Sequence, residues 1–446
     1  MKELILSLIN TEPVDIVRLK LLLPDMEAAD IADLFDELDM EKIIQIYRLL
    51  PKSLAAEVFA FIESDKQELI VSALTDDELA DVVNHLFADD AADFVEEMPA
   101  DVVKRVLKQA RPDKRRAINH LLQYPEDSAG SLMTTEYVDL WEDATVREAF
   151  DVIRETGLNK ETIYTCYVIR RDRLLVGVVS VKTLLLARPD DLISEIMDNA
   201  PEYCHTLDDQ EAVAAMFSKY DLLALPVADK EGRLVGIITV DDIVDVIQEE
   251  NTEDIEKMNA LAPSDNPYLK TGVFQLFRNR IVWLLVLMLS ATITGAIISQ
   301  FEDALAILPL LVAFIPMLMD TSGNAGAQAS TLIIRGMALG EIELSDVLKV
   351  WWKELRVGIL CGLGLGLVNF VRILISNSGN YILAATVTAS LVFTVIIAKS
   401  VGCTLPMLAR RLKLDPAIMA SPMITTIVDA LSLLIYFSLC KTVFHI

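Results

Sequence analysis

The acidic and the apolar residues of this chain occupy different parts of the sequence, and this division limits the folds that it can adopt. Residues 1–260 contain 56 Asp or Glu side chains against 26 Lys or Arg. Residues 281–446 contain 9 against 10 and consist mainly of long apolar runs. Runs of about 20 apolar residues are typical of membrane-spanning helices. The sequence therefore predicts an acidic, water-exposed part followed by a membrane part.

Five apolar runs are long enough to cross a bilayer. Lys and Arg side chains flank alternate loops: they precede the first run and recur after the second and the fourth. Because positively charged loops stay in the cytoplasm, we expect a multi-pass protein of the inner cell membrane. Its acidic part would be cytoplasmic, its C-terminus outside, and lipid would surround the spans. The five runs are residues 281–300, 305–334, 347–376, 381–409 and 416–441.

The overall composition excludes several classes of function. A net charge of −27 argues against a nucleic-acid partner, since phosphate binding needs an excess of Lys and Arg. The five cysteines include no CxxC pair, and the four histidines are scattered, which predicts no zinc site and a reducing compartment. The first residues show no basic stretch followed by a small-residue cleavage site, so we expect no signal peptide. Because no Walker loop, GxGxxG helix opening or HExxH grouping is present, we expect no enzyme.

The acidic part contains two kinds of pattern. In residues 1–130, apolar side chains recur three and four residues apart between prolines, which predicts an all-α superhelical domain of short helices. Residues 167–180 and 225–239 each predict two strands around a polar turn, followed by a helix. We therefore predict two related α/β modules, a connecting helix and an all-α membrane domain with five spans. The assigned limits are 1–130, 131–197, 198–258, 259–280 and 281–446.

These motifs give the chain a resemblance to a known family. The segments LLVGVVSVKTLL and RLVGIITVDDIV resemble CBS modules, which usually associate in pairs. YPEDSAGSLMT, DDIVDVIQEENTEDIEKM, GNAGAQAS and SPMITTIVDALSLLIYF follow in the order found in MgtE magnesium channels. The resemblance extends over nearly the whole chain. It implies a homodimeric Mg2+ channel for Mg2+ uptake, closed by cytoplasmic Mg2+ that binds the acidic domains.

Asp429 lies near the middle of the last apolar run. An ionised carboxylate there costs at least about 2.5 kcal/mol unless it faces water or a partner. Polar residues at spacings of three and four place it on one helix face, which predicts a water-lined path. The alternative is an Asp that is protonated, or paired with Lys399, and holds two helices together. The resemblance adds that the MgtE family selects its ion with an Asp at this position. The polar face consists of Ser421, Thr425, Asp429, Ser432 and Tyr436.

The expected ion is Mg2+, which keeps its water and is commonly bound through one or two carboxylates. A two-fold dimer would supply two copies of Asp429. Mn2+, Ca2+ and Co2+ remain open, whereas the lack of matching His and Cys argues against zinc and copper. Residues 323–330 offer carbonyl and amide oxygens, and the resemblance places Asn324 and Gln328 near the pore. Close helix packing by Gly and Ala is the alternative there, and we predict it for Gly358, Gly362 and Gly366.

Acidic side chains also share one face of the helix predicted after the second module, at spacings of three and four. If this face meets Asp89, Asp90 and Asp93, the two repel unless divalent cations bridge them. An ordinary solvated face is the alternative. The resemblance carries over regulatory Mg2+ positions, to which we add Asp89 and Asp93. Those positions are Asp209, Glu211, Asp221, Asp242, Asp245, Glu250, Glu253 and Asp254, with Asp415 at the cytoplasmic mouth.

Two further hypotheses concern ATP and the mode of transport. CBS modules often hold the ribose of a nucleotide through Ser/Thr-x-x-Asp. The second module keeps this pattern from Thr239 to Asp242, whereas the first reads Ser180 to Thr183 without an acid. The second module is thus the one that retains the ATP pattern, although its Asp could serve only as a helix cap. An H+- or Na+-coupled divalent-cation transporter is the second function, but five spans cannot form two equal inverted halves.

Overall fold

The computed structural model describes residues 2–9, 11, 15–264, 268–269, 271–302, 308–376, 380–419 and 421–445. These residues form two compact units, Met1–Ile247 and Gln248–Ile446. The first unit contains a helical domain and an α/β pair, and the second is helical. This confirms the predicted multidomain fold class.

Ten short α-helices open the described part of the first unit, as the apolar spacing predicts. Polar residues begin several of them. For example, the Thr75 hydroxyl accepts a hydrogen bond from the Glu78 backbone N–H, and the Glu78 carboxylate accepts one from the Thr75 backbone N–H, which forms a capping box. The apolar faces share one core that includes Phe35, Phe59 and Phe94. The helices are α1 Lys2–Ile9, α2 Ile16–Leu22, α3 Ala28–Phe35, α4 Met40–Tyr47, α5 Lys52–Ala60, α6 Ser64–Ala73, α7 Asp76–His85, α8 Ala88–Glu96, α9 Ala100–Gln109 and α10 Pro112–Leu121.

Two related α/β modules follow in the first unit, and the last helix of the second module continues past Ile247 into the second unit. The first contains β1 Asp139–Trp141, α11 Val146–Thr156, β2 Thr165–Ile169, β3 Leu175–Ser180, α12 Val181–Leu186 and α13 Ile193–Ile196. The second contains β4 Cys204–His205, α14 Gln210–Tyr220, β5 Ala224–Ala228, β6 Leu234–Thr239 and α15 Val240–Met258. In each three-stranded sheet the middle strand pairs parallel with one neighbour and antiparallel with the other. The predicted duplication is therefore confirmed.

A glycine at the same place in each module explains part of the repeated motif. A Cβ at Gly177 would lie 2.6 Å from the sulfur of Met197, and one at Gly236 would lie 2.6 Å from that of Met133. Backbone carbonyls of Asp198 and Thr134 are almost as close. Each β-strand therefore needs glycine because another chain segment packs directly against its backbone.

The second unit contains five long α-helices within the described residues. Four segments are long and apolar enough to cross a membrane, namely Val273–Gln300, Leu344–Ser376, Tyr381–Arg411 and Pro416–Phe444. The helices are α16 Val273–Gln300, α17 Ile315–Ala338, α18 Val347–Ser376, α19 Tyr381–Arg411 and α20 Ser421–Phe444.

The predicted span over residues 305–334 differs from this set. Residues 303–307 lie outside the described part, a 3-10 helix covers Pro309–Phe314, and α17 begins one residue before Pro316. Polar and small side chains make α17 less apolar than the other four helices. Four of the five predicted spans are therefore confirmed by length and composition. The proposed connecting helix over 259–280 is not a separate element in the described residues: 259–264 are not helical, and α16 continues from Val273 through the first predicted span.

The glycine repeat of α18 packs against α19, as predicted. Gly358, Gly362 and Gly366 are all buried. Side chains added at these positions would meet Ile396 and Val392 of α19 at 3.0–3.3 Å. The absence of side chains on this face lets the two helix backbones approach closely.

Candidate functional site

Asp429 lies on the side of α20 that packs against Gly323 of α17. A Cβ at Gly323 of α17 would come within 3.1 Å of the Thr425 methyl carbon and 3.9 Å of the Asp429 carboxylate. Glycine at 323 therefore leaves space beside these two polar side chains. The Asp429 side chain is half-buried, and no hydrogen bond or ion pair from the described residues reaches its carboxylate. Ser421 begins α20, but its side chain lies outside the described part.

The second helix of this region, α17, has two different faces. Small residues such as Gly323, Gly326 and Ala329 are buried against neighbouring helices. Asn324 donates a 3.3 Å hydrogen bond to Asp320, and Asp320 is the charged neighbour of Asp429. The exposed face of α17 thus contains the amide side chains that we predict near the pore, and the buried face contains the Gly and Ala residues of the packing alternative. The exposed polar face consists of Asp320, Asn324, Gln328, Thr331 and Arg335.

Two polar residues of the predicted water-lined face serve a different purpose. The Ser432 hydroxyl donates to the Ser322 hydroxyl at 2.8 Å, and the Tyr436 hydroxyl donates to the Leu311 carbonyl at 2.9 Å. Both side chains are buried. The prediction was therefore wrong for this end of α20, because hydrogen bonds to the neighbouring segment tie these side chains into the helix packing. Only the part of the face near Thr425 and Asp429 stays open.

Lys399 does not pair with Asp429. Its ammonium lies 3.8 Å from the Glu354 carboxylate, and both side chains are almost fully buried between α19 and α18. The form of the alternative in which Asp429 pairs with Lys399 is therefore contradicted. Sequence analysis missed Glu354 because it lies near the charged start of its span, where a carboxylate is unremarkable.

At the other end of the second unit, three acidic residues surround one lysine. Lys257 lies 2.6 Å from Glu253 and 2.8 Å from Asp415. Asp254 is close to the same group, and its pKa is raised by burial and by the charge of Asp415. Burial opposes the positive charge of Lys257, but hydrogen bonds to Asp415 and Glu253 still raise its pKa. We call these four residues the mouth cluster.

A second acidic group lies in the first unit, where α8 approaches the first turn of α15. The Asp89 side chain is only 8% exposed, and one of its carboxylate oxygens has no hydrogen-bond partner in the described structure. Glu161 also has one buried oxygen without such a partner. Asp93 lies on the exposed rim. We call Asp89, Asp90, Asp93, Glu161, Asp241 and Asp242 the sensor cluster.

The pKa values of the sensor cluster show that burial and neighbouring negative charges disfavour its ionised carboxylates. Burial, followed by the charges of Asp90 and Asp242, raises the pKa of Asp89 well above its usual range. Burial likewise raises the pKa of Asp90 and of Asp242 to about 6, and that of Glu161 to about 8. The neighbouring cation, Lys114, is held by Glu136 at 2.7 Å. Protons or a divalent cation would therefore relieve the repulsion among these acids.

Three other predicted regulatory residues, Asp209, Glu211 and Asp221, belong to α14 and its two ends. Asp209 caps the start of α14 close to Glu211, whereas Asp221 is the left-handed residue that ends the same helix. An 11-residue helix separates its ends by about 15 Å, too far for one ion. Asp245 is exposed on α15, and Glu250 is half-buried further along that helix.

No three His, Cys, Asp or Glu side chains of the described residues converge closely enough to hold a metal ion. The sensor cluster nevertheless unites residues predicted separately, namely Asp89, Asp93 and Asp242. It adds Glu161, which sequence analysis missed. Glu161 lies about 70 positions after Asp89 and about 80 before Asp242, and no motif marks it.

Comparison with known proteins finds matches to one family over most of the chain. Family models match residues 26–127 ("MgtE intracellular N domain"), 129–190 and 193–249 ("CBS domain"), and 315–439 ("Divalent cation transporter", MgtE). The chain is 38% identical to the magnesium transporter MgtE of Thermus thermophilus over 95% of this chain and 94% of that protein. It is 32% identical to the magnesium transporter MgtE of Bacillus subtilis over 96% and 97% of the two chains.

One solved structure supports the same assignment for the first part. The soluble part of a magnesium transporter is 30% identical, with a TM-score of 0.53, over 56% of this chain and 97% of that one. The recognised resemblance is thereby confirmed, as is the expectation that the chain is not an enzyme. This chain belongs to the MgtE family of magnesium transporters.

Proposed function

We propose that this chain is a Mg2+-selective channel for Mg2+ uptake, with a hydrated ion held at Asp429 in the pore of a homodimer. The observation that carries this proposal is the half-buried Asp429 carboxylate, which lies inside an apolar helix without a protein partner in the described residues. Such a carboxylate is costly in lipid and is favourable beside water and a cation. Thr425 and Asn324 would supply further oxygen atoms near it, together with Ser421 and Gln328.

The exposed polar face of α17 supports a dimer. Five polar residues on one side of a membrane helix cannot all face hydrocarbon without a large cost. A second copy of the chain would cover this face and bring a second Asp429 into the same pore. In this proposal α17 crosses the membrane as the fifth span. The acidic domains are then cytoplasmic and the C-terminus lies outside.

The sensor cluster supports closure by cytoplasmic Mg2+. Its buried carboxylates repel one another, so an ion that binds them would stabilise the compact arrangement. Preferential binding to that arrangement would shift the channel toward its closed state. We propose that Asp209, Glu211, Asp221, Asp245 and Glu250 take part at separate sites, and that Glu253, Asp254 and Asp415 do so at the mouth. The domain limits 1–130, 131–197, 198–258, 259–280 and 281–446 remain part of this proposal.

The pore assignment is tested with D429N in proteoliposomes that contain a Mg2+-sensitive dye. We expect Mg2+ uptake to be abolished, because the neutral amide cannot hold a hydrated divalent cation. D346N is the matched control, since Asp346 is a carboxylate that pairs with Lys349 at the surface. Normal uptake by a correctly folded D429N protein would remove Asp429 from the pore.

The sensor assignment is tested with a triple variant, D242N/D245N/E250Q. We expect its uptake to continue at cytoplasmic Mg2+ concentrations that stop the unmodified protein. Unchanged inhibition would identify these acids as ordinary solvated surface.

A coupled divalent-cation transporter is the second candidate, and the buried Glu354–Lys399 pair is the observation that favours it. Buried ionisable pairs inside a membrane are typical of proton relays. Uptake in vesicles with an imposed pH or Na+ gradient distinguishes the two functions. A channel follows the Mg2+ gradient and the voltage alone, whereas a coupled transporter would respond to the added gradient and would lose that response in E354Q.

ATP is a proposed ligand of the second CBS module only. That module keeps Thr239 and Asp242, and the Thr239 hydroxyl donates to Asp242 at 2.7 Å. Because Asp242 also belongs to the sensor cluster, ATP at this position would compete with cations for one carboxylate. Binding of ATP to the full chain, measured with and without D242N, tests this.

A further inference from the structure

The mouth cluster holds a positive charge where a regulatory cation would be expected. Lys257 follows Glu253 by one helical turn on α15, and its ammonium also reaches Asp415, which precedes the 3-10 helix before α20. The Lys257 side chain is 23% exposed. The other Asp415 oxygen accepts a 2.8 Å hydrogen bond from the Ala417 backbone. The ammonium therefore bridges a cytoplasmic helix and the start of the last membrane helix.

A Mg2+ ion and this ammonium cannot occupy the cluster together. Both are hard cations that bind carboxylate oxygens, and Mg2+ requires those oxygens at about 2.1 Å. At such distances two positive centres around the same pair of oxygen atoms would repel strongly. Mg2+ can therefore bind Glu253 and Asp415 only after Lys257 has moved away. A ligand that needs a less populated state binds with an affinity reduced by that population.

We propose that Lys257 is a built-in competitor of Mg2+, which occupies Glu253 and Asp415 in the metal-free protein and thereby sets the Mg2+ concentration at which the channel closes. This inference rests on the proposed function, because it assumes that Mg2+ at the mouth favours closure. The bridge keeps the carboxylates close together without metal. It also raises the amount of Mg2+ that is needed to replace it.

The test uses the full-length protein in inside-out membrane patches, where the bath sets the cytoplasmic Mg2+ concentration. We expect K257M to lower the half-inhibitory Mg2+ concentration about fivefold or more, which is the lower end of ordinary coupling between two binding events. K257Q is a second neutral variant with a different shape. K257R keeps the positive charge, so its half-inhibitory Mg2+ concentration, which we call the threshold, should equal or exceed that of the unmodified chain.

K349M is the matched control. Lys349 also forms a 2.7 Å ion pair, with Asp346, but its side chain is 84% exposed and lies outside the mouth cluster. Its removal should leave the threshold unchanged. An unchanged or higher threshold in both K257M and K257Q would overturn the competitor role and identify Lys257 as a tie that closure needs. An unmodified chain that Mg2+ does not inhibit would instead overturn the proposed function, and this inference with it.

Discussion

The backbone of Gly402 in α19 lies so close to Gly326 in α17 that a Cβ at position 402 would stand 2.3 Å from the Gly326 carbonyl oxygen. Neither backbone can move away without disturbing the helix contacts beside the proposed pore. We therefore expect G402A to lower the stability of the second unit by about 2 kcal/mol or more, as overpacking does in tightly packed interiors. Thermal unfolding of the detergent-solubilised protein would measure this loss as a lower Tm.

Gly364 of α18 offers the matched control for this substitution. It is exposed, and a Cβ there would meet no atom within 4 Å. Alanine is favoured over glycine in helices, so G364A should leave the Tm unchanged or raise it slightly. Equal losses in G402A and G364A would show that the close approach of the two helices does not determine stability.

The hydrogen bond from Tyr436 to the Leu311 carbonyl predicts a smaller effect. Y436F removes this buried hydroxyl and its hydrogen bond to Leu311, and we expect a loss of about 1 kcal/mol in the free energy of unfolding. Y381F is the control, because Tyr381 is 69% exposed. If Y436F unfolded like the unmodified protein while Mg2+ transport failed, Tyr436 would belong to the ion path after all.

For Glu161 in the first unit we predict the opposite effect, namely that its substitution raises stability. Burial and the charges of Asp90 and Asp242 disfavour the ionised form of Glu161 in the folded protein, so at pH 8 E161Q should stabilise the metal-free protein by about 1 kcal/mol. The Mg2+-induced rise in Tm should be smaller than in the unmodified protein. E155Q, an exposed substitution on α11, should change neither quantity. A lower metal-free Tm in E161Q would exclude Glu161 from the repulsive cluster.

The raised pKa values also predict how stability depends on pH. Asp90 and Asp242 have pKa values of about 6 in the folded protein, and Glu161 has a pKa of about 8. Carboxyl groups in an unfolded chain have pKa values near 4. Between about pH 4 and pH 8 the folded state therefore binds more protons than the unfolded state. Its metal-free stability should fall as the pH rises from 6 to 8.

Mg2+ should oppose this loss, because it replaces the protons that leave. Calorimetry of the full chain with EDTA or with excess Mg2+ would measure both effects. We expect the stabilisation by Mg2+ to be larger at pH 8 than at pH 6. A metal-free stability that rises over this range would contradict the proposed burial of these acids.

Local sequence patterns predicted most of the fold because they depend on neighbouring residues. The spacing of apolar side chains indicated the short helices, and the repeated Gly-containing segments indicated the two modules. The glycine spacing of Gly358, Gly362 and Gly366 indicated a packed face that the structure confirms. The exception was the predicted span over residues 305–334, because the small and polar residues of α17 make that helix less apolar than the other four.

The order and spacing of residues along the chain were enough to predict an acidic part, a membrane part and the place of Asp429 inside an apolar helix. Which charges meet could be seen only in the packed helices. Lys399 pairs with Glu354 rather than Asp429, Lys257 lies between Glu253 and Asp415, and Glu161 joins Asp89 and Asp242. Electrostatic interactions depend on distance in space, and residues far apart in the sequence come together only when the helices pack.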